Sequence, residues 1–280
     1  MLNEKCALVT GATQGIGLAI THEMAGTGCA IVLHGVETEE EGRAIAAGVA
    51  ERHGVRTAYV RADLSCTAEA EALVLEAERS LAPIDILINN AGIQFTSPAE
   101  SFPLDRWQAI LSINLTAPFL LMKAVLPGMR QRGWGRIVNI ASVHGLVASV
   151  NKVAYLAAKH GLVGASKGVA LETAADGITV NCICPGYTDT PILMPQIKQR
   201  AEKLNVSYEE GVRDLVREKQ PNLKLLPPAF IGQTAVFLCS EAAVGITGVT
   251  VITDSGYFSA GVTESFPDAT PGVNFLLGRY

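Results

Sequence analysis

The feature that most constrains the fold is a regular alternation of short apolar runs and longer helix-like segments. Apolar runs typical of strands occur at residues 6–10, 30–34, 57–61, 84–88, 136–140, 178–184 and 249–253. Helical patterns lie between them, most clearly at 15–25, 39–52, 106–131 and 152–175. Strands separated by helices indicate βαβ units, whose right-handed crossovers build a doubly wound parallel α/β sheet with helices on both faces.

A single large domain is expected. The 280 residues are 49% hydrophobic, which is enough for the core of one α/β domain over residues 1–260. Two segments interrupt the alternation. Residues 187–226, called the lid segment below, are predicted to form a helical lid between the last two strands, and residues 261–280 are predicted to be a C-terminal extension.

Composition and charge argue against several kinds of partner. A net charge of −5 without a basic cluster disfavours nucleic acid. We expect no apolar run of the roughly 18 residues needed to span a bilayer, and the first residues lead directly into a strand, so a cytoplasmic protein is expected. The six cysteines lack zinc-site spacing, which predicts reduced thiols, mostly in the core, and no metal.

A glycine-rich segment follows the first strand. Gly11, Gly15 and Gly17 have the spacing G-x-x-x-G-x-G and lie where the strand gives way to a helix. Glycines there let the backbone approach a pyrophosphate, which the first N–H groups and the dipole of the helix attract. A tight turn without a ligand is the alternative, but three glycines in seven positions exceed what a turn requires. The segment predicts a dinucleotide site.

Two later strand ends are expected to border the same site. Asp63 follows the third strand, where it is placed to accept a hydrogen bond from adenine. Asp63 or Ser65 also suits the N-cap of the next helix, and both roles can hold together. The small residues of 89–92, Asn-Asn-Ala-Gly, follow the fourth strand and would let a cofactor lie against the backbone, although an ordinary turn is possible there.

The end of the second strand bears on the choice between NAD and NADP. Val36 is followed by Glu37, Glu39 and Glu40, and the first basic residue after them is Arg43. Carboxylates would repel the 2′-phosphate of NADP, so the sequence favours NAD. An aspartate placed to hold the ribose hydroxyls is not evident.

Four polar residues form the predicted reaction centre. Tyr155 and Lys159 are four positions apart and lie on one face of a predicted helix. The ammonium is expected to favour the phenolate, so that Tyr155 exchanges a proton with an alcohol or ketone while a hydride passes to or from the cofactor. Ser142 follows the fifth strand and can hydrogen-bond the same oxygen. Asn114 is expected to break its helix locally and to hold a water near Lys159.

A Y-x-x-x-K pair alone is common on exposed helices and indicates little. Here it occurs in a fixed order with other motifs: the 10–17 loop, the 89–92 turn, Asn114, Ser142, Tyr155, Lys159 and Pro185-Gly186. In order and spacing the chain resembles the short-chain dehydrogenase/reductase family over about residues 1–257. The resemblance implies a Rossmann-like sheet of seven strands and a homotetramer. It also implies dinucleotide contacts from Gly11, Thr13, Gly15, Ile16, Gly17, Val36, Asp63, Leu64, Asn90, Ala91, Gly92, Tyr155, Lys159, Pro185, Gly186, Thr188 and Thr190.

A closer resemblance is to bacterial D-3-hydroxybutyrate dehydrogenases. It rests on residues 90–94, 140–148, 151–152, 157–161 and 218–221. It implies that the substrate carboxylate is held by Gln94, His144, Lys152 and Gln196, beside Ser142 and Tyr155, with Gln196 arriving only when the lid segment closes. Tyr187 and Tyr257 occupy positions where that family usually has tryptophan, which adds hydroxyl groups near the substrate methyl.

Three hypotheses follow. The first is an NAD-dependent enzyme that oxidises the small hydroxy acid (R)-3-hydroxybutyrate reversibly to acetoacetate. The second is a related enzyme such as a 3-oxoacyl carrier-protein reductase, whose thioester substrate has no charge for Lys152 to hold. The third is a non-catalytic dinucleotide-binding regulator, which would not require both Tyr155 and Lys159.

Overall fold

The computed structural model describes residues 2–217 and 220–259, which fold around one parallel sheet of seven strands. The strands are β1 (Cys6–Val9), β2 (Ala30–Gly35), β3 (Thr57–Arg61), β4 (Ile86–Asn89), β5 (Gly135–Ile140), β6 (Ile178–Pro185) and β7 (Thr250–Thr253). The helices are α1 (Gly15–Ala25), α2 (Glu39–His53), α3 (Thr67–Ser80), α4 (Leu104–Leu111), α5 (Ala117–Arg132), α6 (Val153–Thr173), α7 (Met194–Leu204), α8 (Tyr208–Arg217) and α9 (Pro228–Cys239). The doubly wound, Rossmann-like sheet is confirmed, with strand ends within two residues of those predicted.

The strands form because both of their faces are covered. All four residues of β1 are buried. Leu8 belongs to the core cluster that contains Leu121 of α5, whereas Val9 belongs to the cluster that contains Ile20 of α1. A strand buried on both faces must be apolar throughout, which explains why these runs do not alternate between apolar and polar residues.

The order of the strands creates one crevice. The spatial order is β3-β2-β1-β4-β5-β6-β7, so the chain winds outward from β1 in one direction and from β4 in the other. The loops that follow β1 and β4 therefore diverge, and a gap opens at the carboxyl ends of these strands. Every residue predicted for cofactor or substrate lies on a segment that follows a strand or on a helix bordering this edge.

The helix predicted at 106–131 is broken locally, as expected, but is more apolar than expected. It consists of α4 and α5 joined by a π-helical turn at Ser112–Thr116. An 18-residue window of the combined segment Leu104–Arg132 has a mean hydropathy of 1.8, so the segment is long and apolar enough to cross a membrane by length and composition alone. The expectation that no such segment exists was therefore wrong. Its apolarity serves the core, where Met122 and Met129 of α5 are fully buried against the sheet.

The lid segment contains α7 and α8 and returns to its starting point. Thr188 and Leu226 form an isolated parallel bridge, and the Leu226 N–H donates to the Tyr187 carbonyl at 2.9 Å. Ile197 of α7 and Leu215 of α8 are buried against each other in a small separate apolar cluster. Glu218 and Lys219, and the predicted extension at 261–280, lie outside the described residues.

The cysteines agree with the expectation of reduced core thiols. All six are free, and five of them are buried. Cys182 and Cys184 of β6 share one face and pack against Leu162 and Val163 of α6. Their apolar packing explains their positions without a metal or a disulfide.

One helix–strand contact tests this packing directly. Tyr59 of β3 lies against Gly42 of α2, where an added Cβ would come within 2.1 Å of the ring carbon Cε1. Gly48 of the same helix is exposed, and an added Cβ there has nothing within 4 Å. The two glycines share a helix and differ in their surroundings.

We expect Gly42→Ala to lower the free energy of unfolding by about 1–3 kcal/mol, because the ring of Tyr59 must move. Gly48→Ala should raise it by about 0.5–1 kcal/mol, because alanine restricts the unfolded chain and favours the helix. Urea unfolding followed by circular dichroism measures both changes. Stabilisation by both substitutions would contradict the packing of Tyr59 on α2.

Candidate active site

A cavity of about 630 Å³ occupies the crevice at the carboxyl edge of the sheet. It extends from Val36 and Asp63 at one end to Tyr155 and Lys152 at the other. All the residues predicted from the sequence as catalytic, cofactor-binding or substrate-binding line it, except Gly17 and Asn114. The topology therefore brings positions separated by more than 200 residues into one continuous site.

The glycine-rich loop has the geometry of an anion cradle. Gly11 and Gly15 have φ values of +60° and +55°, which disfavour side chains. A Cβ on Gly17 would lie 2.0 Å from the Gly11 carbonyl oxygen, so Gly17 acts from behind the cavity wall by letting α1 pack against the loop. The N-cap residue Gln14 makes no side-chain cap hydrogen bond, so the first-turn N–H groups of α1 remain available to a pyrophosphate.

The turn after β4 holds this loop in place. The Asn90 side-chain amide donates to the carbonyl oxygens of Thr10 and Gly11, at 2.9 and 3.0 Å. In return, the Thr10 hydroxyl accepts from the backbone N–H groups of Asn90 and Ala91. The loops after β1 and β4 are thus joined by four hydrogen bonds, which explains why an asparagine and a small residue follow β4.

At the end of the cavity lined by Val36 and Asp63, called the adenosine end below, one glutamate side chain points into the cavity. The Thr13 hydroxyl donates to Glu37 Oε1 at 2.7 Å, and the Tyr59 hydroxyl donates to the Glu37 carbonyl at 2.9 Å. Glu37 lines the cavity beside Val36. Sequence reasoning treated Glu37 only as one of three repelling charges. Its specific position depends on Tyr59 of the neighbouring strand, which the sequence does not place.

Sequence reasoning also missed a basic group at this end. Arg61 Nε donates to the Val36 carbonyl at 3.2 Å. The sequence that follows Val36 has no basic residue before Arg43, but Arg61 reaches this position because β2 and β3 are adjacent and their carboxyl ends are in register. Glu37 and Arg61 place opposite charges at the same end of the cavity.

Asp63 borders the cavity, but the expected N-cap is different. Its Oδ1 accepts from the Ser65 N–H at 2.9 Å, and this bond holds the pKa of the carboxyl below its ordinary value. The N-cap of α3 is Cys66, without a side-chain cap hydrogen bond, so neither Asp63 nor Ser65 caps the helix. Asp63 instead closes a short turn that presents Leu64 to the cavity.

Tyr155, Lys159 and Ser142 of the predicted reaction centre lie close together in the cavity. Tyr155 and Lys159 lie on one face of α6, with the ammonium nitrogen 5.7 Å from the centre of the phenol ring. The Ser142 hydroxyl is a hydrogen-bond partner of Tyr155, and it also accepts from the His144 N–H at 3.1 Å. Lys159 Nζ donates to the Ile140 carbonyl at 2.8 Å. Three different elements therefore meet at one phenol.

The protonation states differ from the expectation for the protein alone. Burial raises the pKa of Tyr155 to about 12, and the hydrogen bond from Ser142 only partly offsets this. Burial also lowers the pKa of Lys159 to about 8. The adjacent ammonium by itself does not make the phenol acidic, because the two groups are removed from water together and each is penalised when charged.

Asn114 lies behind the cavity wall. It is fully buried in the π-helical turn, which confirms the expected local break in the helix. Its Oδ1 accepts from the Ile93 N–H and its Nδ2 donates to the Ile93 carbonyl, both at 2.9 Å. The side chain thus positions the segment after Gly92. A water between Asn114 and Lys159 stays a prediction.

The four residues expected to hold a carboxylate meet at the far end of the cavity. Lys152 is only 7% exposed, and its Nζ donates to Gln196 Oε1 at 3.4 Å. Gln196, in the first turn of α7, lies over the cavity with Gln94 and His144 in this structure, and its arrival on closure of the lid segment stays a prediction. The lid segment is held there by its apolar cluster and its paired ends.

Aromatic rings line the remaining wall. His144 makes edge-to-face contacts with Tyr155 and with Tyr257, at centroid distances of 6.2 and 6.3 Å. Tyr257 makes the same kind of contact with Tyr187 at 6.3 Å. The two tyrosines therefore form an aromatic wall beside the reaction centre, and the other end of the cavity is polar.

A glycine-rich loop at a helix N-terminus and a Ser–Tyr–Lys centre, both at the carboxyl edge of a parallel sheet, define a dinucleotide-binding enzyme. The sequence profile of the family described as short chain dehydrogenase matches residues 5–201. The chain belongs to this family and is an oxidoreductase that takes a nicotinamide dinucleotide.

Individual relatives agree with this assignment. The D-beta-hydroxybutyrate dehydrogenase of Cupriavidus necator is 47% identical over 257 residues, covering 92% of this chain and 99% of that protein. The protein of the same name from Rhizobium meliloti is 41% identical over 254 residues, covering 90% and 98%. The structure of L-sorbose reductase from Gluconobacter frateurii, complexed with NADPH and L-sorbose, has a TM-score of 0.87 at 30% identity and covers 91% of this chain and 97% of that one.

The close approach of loop and helix is testable. We expect Gly17→Ala to weaken dinucleotide binding by at least about tenfold, because its Cβ would displace the Gly11 carbonyl and, with it, the N–H groups of the cradle. Gly164→Ala, on exposed α6 surface with nothing within 4 Å, is the matched control. Calorimetric titration measures both affinities. Unchanged binding by Gly17→Ala would exclude the cradle.

Proposed function

We propose that the protein catalyses the NAD-dependent, reversible oxidation of (R)-3-hydroxybutyrate to acetoacetate. The observation that carries the proposal is the buried Lys152, which lines the cavity beside Gln196 and is the N-cap residue of α6, the helix that contains Tyr155. A short hydroxy acid whose hydroxyl contacts Tyr155 would present its carboxylate to this cation. The names of the two most similar relatives described above support the same substrate class.

A carboxylate fits this end of the cavity better than a neutral group. An ammonium that is nearly excluded from water is stabilised by an anion and by hydrogen-bond partners. Gln94, His144 and Gln196 offer amide and imidazole groups around it. A thioester carries no negative charge that could interact with Lys152.

The proposed chemistry breaks two bonds of the substrate: the C–H bond of the carbinol carbon, which gives up a hydride, and the O–H bond, which gives up a proton. The cavity residues from the glycine-rich loop to Tyr155 would hold the dinucleotide, whose oxidised nicotinamide would supply a hydride acceptor and a positive charge when bound. Tyr155, with its pKa lowered by that charge and by protonated Lys159, takes the hydroxyl proton as the carbonyl forms. Ser142 holds the substrate oxygen. In the reverse direction Tyr155 returns the proton to the carbonyl oxygen.

Lys159 and Asn114 would support this transfer from behind. Lys159 is anchored on the Ile140 carbonyl, which fixes its ammonium between the ends of β5 and α6. A pKa of about 8 leaves it mostly protonated at neutral pH, yet able to exchange a proton. Asn114 fixes Ile93 and so defines the wall next to Gly92, where a Cβ would be 3.7 Å from Lys159 Nζ.

The preference for NAD rests on Glu37. Its carboxylate is held by Thr13 inside the cavity, where a ribose hydroxyl can donate to it and a 2′-phosphate would be repelled. Arg61 opposes this repulsion, but its Nε is engaged by the Val36 carbonyl. The NADPH in the L-sorbose reductase structure is the cofactor of that protein and does not decide the cofactor of this chain.

We also propose the homotetramer and the cytoplasmic location expected from the sequence. Exposed apolar side chains support an assembly: Leu171 of α6 is 83% exposed, and Phe119 of α5 and Phe230 and Phe237 of α9 are about half exposed. Two separate faces of the protomer therefore present large apolar groups, as closed assemblies with two kinds of contact require.

The substrate is tested with purified protein, NAD and (R)-3-hydroxybutyrate, following formation of the reduced cofactor. Lys152→Met should raise the KM for the acid by about 10- to 100-fold, because a charge-assisted contact is lost, and should change the KM for the corresponding amide little. Lys167→Met, at an exposed position on the same helix, is the control.

An equal rise in the KM for the acid and for the amide in Lys152→Met would contradict the proposed contact between Lys152 and the substrate carboxylate. Tyr155→Phe should eliminate turnover and leave dinucleotide binding intact. Turnover retained by Tyr155→Phe would reject the mechanism. Activity with 3-oxoacyl thioesters and none with the hydroxy acid would favour the carrier-protein reductase, and binding without any turnover would favour a regulator.

The cofactor preference is tested by Glu37→Ser. We expect NAD binding to weaken by about tenfold and the ratio of NADP to NAD efficiency to rise by about 100-fold, since the repulsion is removed while Arg61 remains. Glu40→Ser, an exposed change three residues away in the first turn of α2, should leave the ratio unchanged. A wild-type protein that prefers NADP would overturn this part of the proposal.

A further inference from the structure

A buried histidine at the end of β2 contacts the cofactor loop. His34 is only 2% exposed and lines the cavity between the glycine-rich loop and the adenosine end. The backbone N–H of Gly11 donates to its Nδ1 at 3.3 Å, and its Nε2 lies 3.0 Å from the Ala62 carbonyl oxygen. The motifs that indicated the family do not include this residue.

These contacts define one tautomer. A carbonyl oxygen only accepts hydrogen bonds, so Nε2 must carry the proton that points to Ala62. Nδ1 is then the bare nitrogen and accepts the Gly11 N–H. Only the neutral imidazole with its proton on Nε2 satisfies both neighbours, because an imidazolium would direct a second N–H against the N–H of Gly11.

The imidazole fixes the loop from the side opposite to Asn90. The Gly11 N–H is held by His34, and the Gly11 carbonyl is held by Asn90 Nδ2 at 3.0 Å. The Ala12 N–H also donates to the His34 carbonyl at 2.8 Å. The peptide groups on both sides of Gly11 are thereby oriented before the chain enters α1, whose first N–H groups face the expected pyrophosphate.

We propose that His34 is a positioning residue for the dinucleotide, and that its neutral imidazole couples the glycine-rich loop to the 62–64 turn. Loss of the Nδ1 acceptor releases Gly11 and weakens cofactor binding. This inference needs only a dinucleotide in the cavity. It holds whichever hydroxy compound is the substrate, so its failure and the failure of the proposed function are separate results.

The charged groups around His34 set the direction of a pH effect. Burial lowers its pKa, while the Ala62 carbonyl and the Glu37 carboxylate act in the opposite direction. The third strand and the turn after it bring Tyr59, Arg61 and Asp63 to the same end of the cavity, and residues 7–21 contain no titratable side chain.

Since the folded-state pKa lies below the ordinary value of 6.5, neutral His34 is fully retained above pH 6.5. Protonation sets in as the pH falls through the folded-state pKa, and affinity for the dinucleotide should fall with it. A bound pyrophosphate would attract an imidazolium, so simple electrostatics predicts the opposite direction, namely tighter binding in acid.

Three substitutions separate the two contacts of the ring. His34→Asn places an amide oxygen near the position of Nδ1 and keeps the acceptor for Gly11 without titrating. His34→Gln reaches toward Ala62 and loses the Gly11 contact, and His34→Leu loses both. His53→Asn, at the end of α2, is the control for removing a titratable histidine elsewhere.

The experiment is calorimetric titration with NAD at about pH 8 and at an acidic pH below the folded-state pKa of His34, found by lowering the pH in steps from 6.5 while circular dichroism confirms folding. The wild type should bind more weakly at the acidic pH. His34→Asn should bind like the wild type at pH 8 without the acid loss, whereas His34→Gln and His34→Leu should bind about tenfold more weakly at both pH values.

Tighter binding of NAD by the wild type in acid would overturn the proposal. So would His34→Gln binding like the wild type, or an acid loss that persists in His34→Asn and disappears in His53→Asn. If His34→Leu does not fold, the Asn and Gln variants still decide, because each retains one hydrogen-bonding function of the ring.

Discussion

The reaction centre depends on a single buried ammonium. Lys159 is 3% exposed, and its hydrogen bond to the Ile140 carbonyl ties the middle of α6 to the end of β5. Removing an ammonium from water costs several kcal/mol in a protein interior, and one backbone carbonyl recovers only part of that. The part of this desolvation cost that the hydrogen bond does not recover lowers the pKa of Lys159. The ammonium of Lys159 favours the phenolate, but by itself it does not offset the burial of Tyr155, so Tyr155 remains protonated in the protein alone. A second positive charge near the phenol would be needed to lower its pKa further.

Much of the fold and of the reaction centre was accessible from the sequence because it is encoded locally. Apolar runs predict strands that are covered on both faces, and three glycines before a helix predict an anion cradle. Tyr155 and Lys159 share a helix, so four residues of spacing suffice to place them on one face. Ser142 and Asn90 follow strands, and parallel strands end at one edge. These inferences need only the period of a segment and the direction of a sheet.

The adenosine end was predicted less well because it is built between strands. Arg61 meets Val36, Tyr59 holds Glu37, and His34 reaches Ala62 only because β2 and β3 are neighbours in a particular register. The residue pattern of either strand alone does not predict the register between them. Gln196 illustrates the same limit, since its place over Lys152 depends on how α7 packs against α8. The N-cap of α3 shows that a local preference can also fail. Asp63 is a favoured N-cap residue, but it forms a competing turn, and Cys66 takes the N-cap position instead.

The charges of the cavity are arranged along its length, and this arrangement gives the site a direction. Glu37 and Asp63 give the adenosine end a net negative charge that Arg61 only partly offsets, the N-terminus of α1 makes the middle positive, and Lys152 with Lys159 makes the far end cationic. A dinucleotide has ribose hydroxyls at one end and a negative pyrophosphate in the middle, and the proposed hydroxy acid would add a carboxylate beyond the nicotinamide. The ribose hydroxyls, the pyrophosphate and the carboxylate then each lie against groups of complementary charge or polarity in only one orientation of the ligands. Because the interactions act over a few ångströms in a cavity of low dielectric, reversing the ligand would place like charges together. The order of the strands therefore determines the direction in which substrate and cofactor meet.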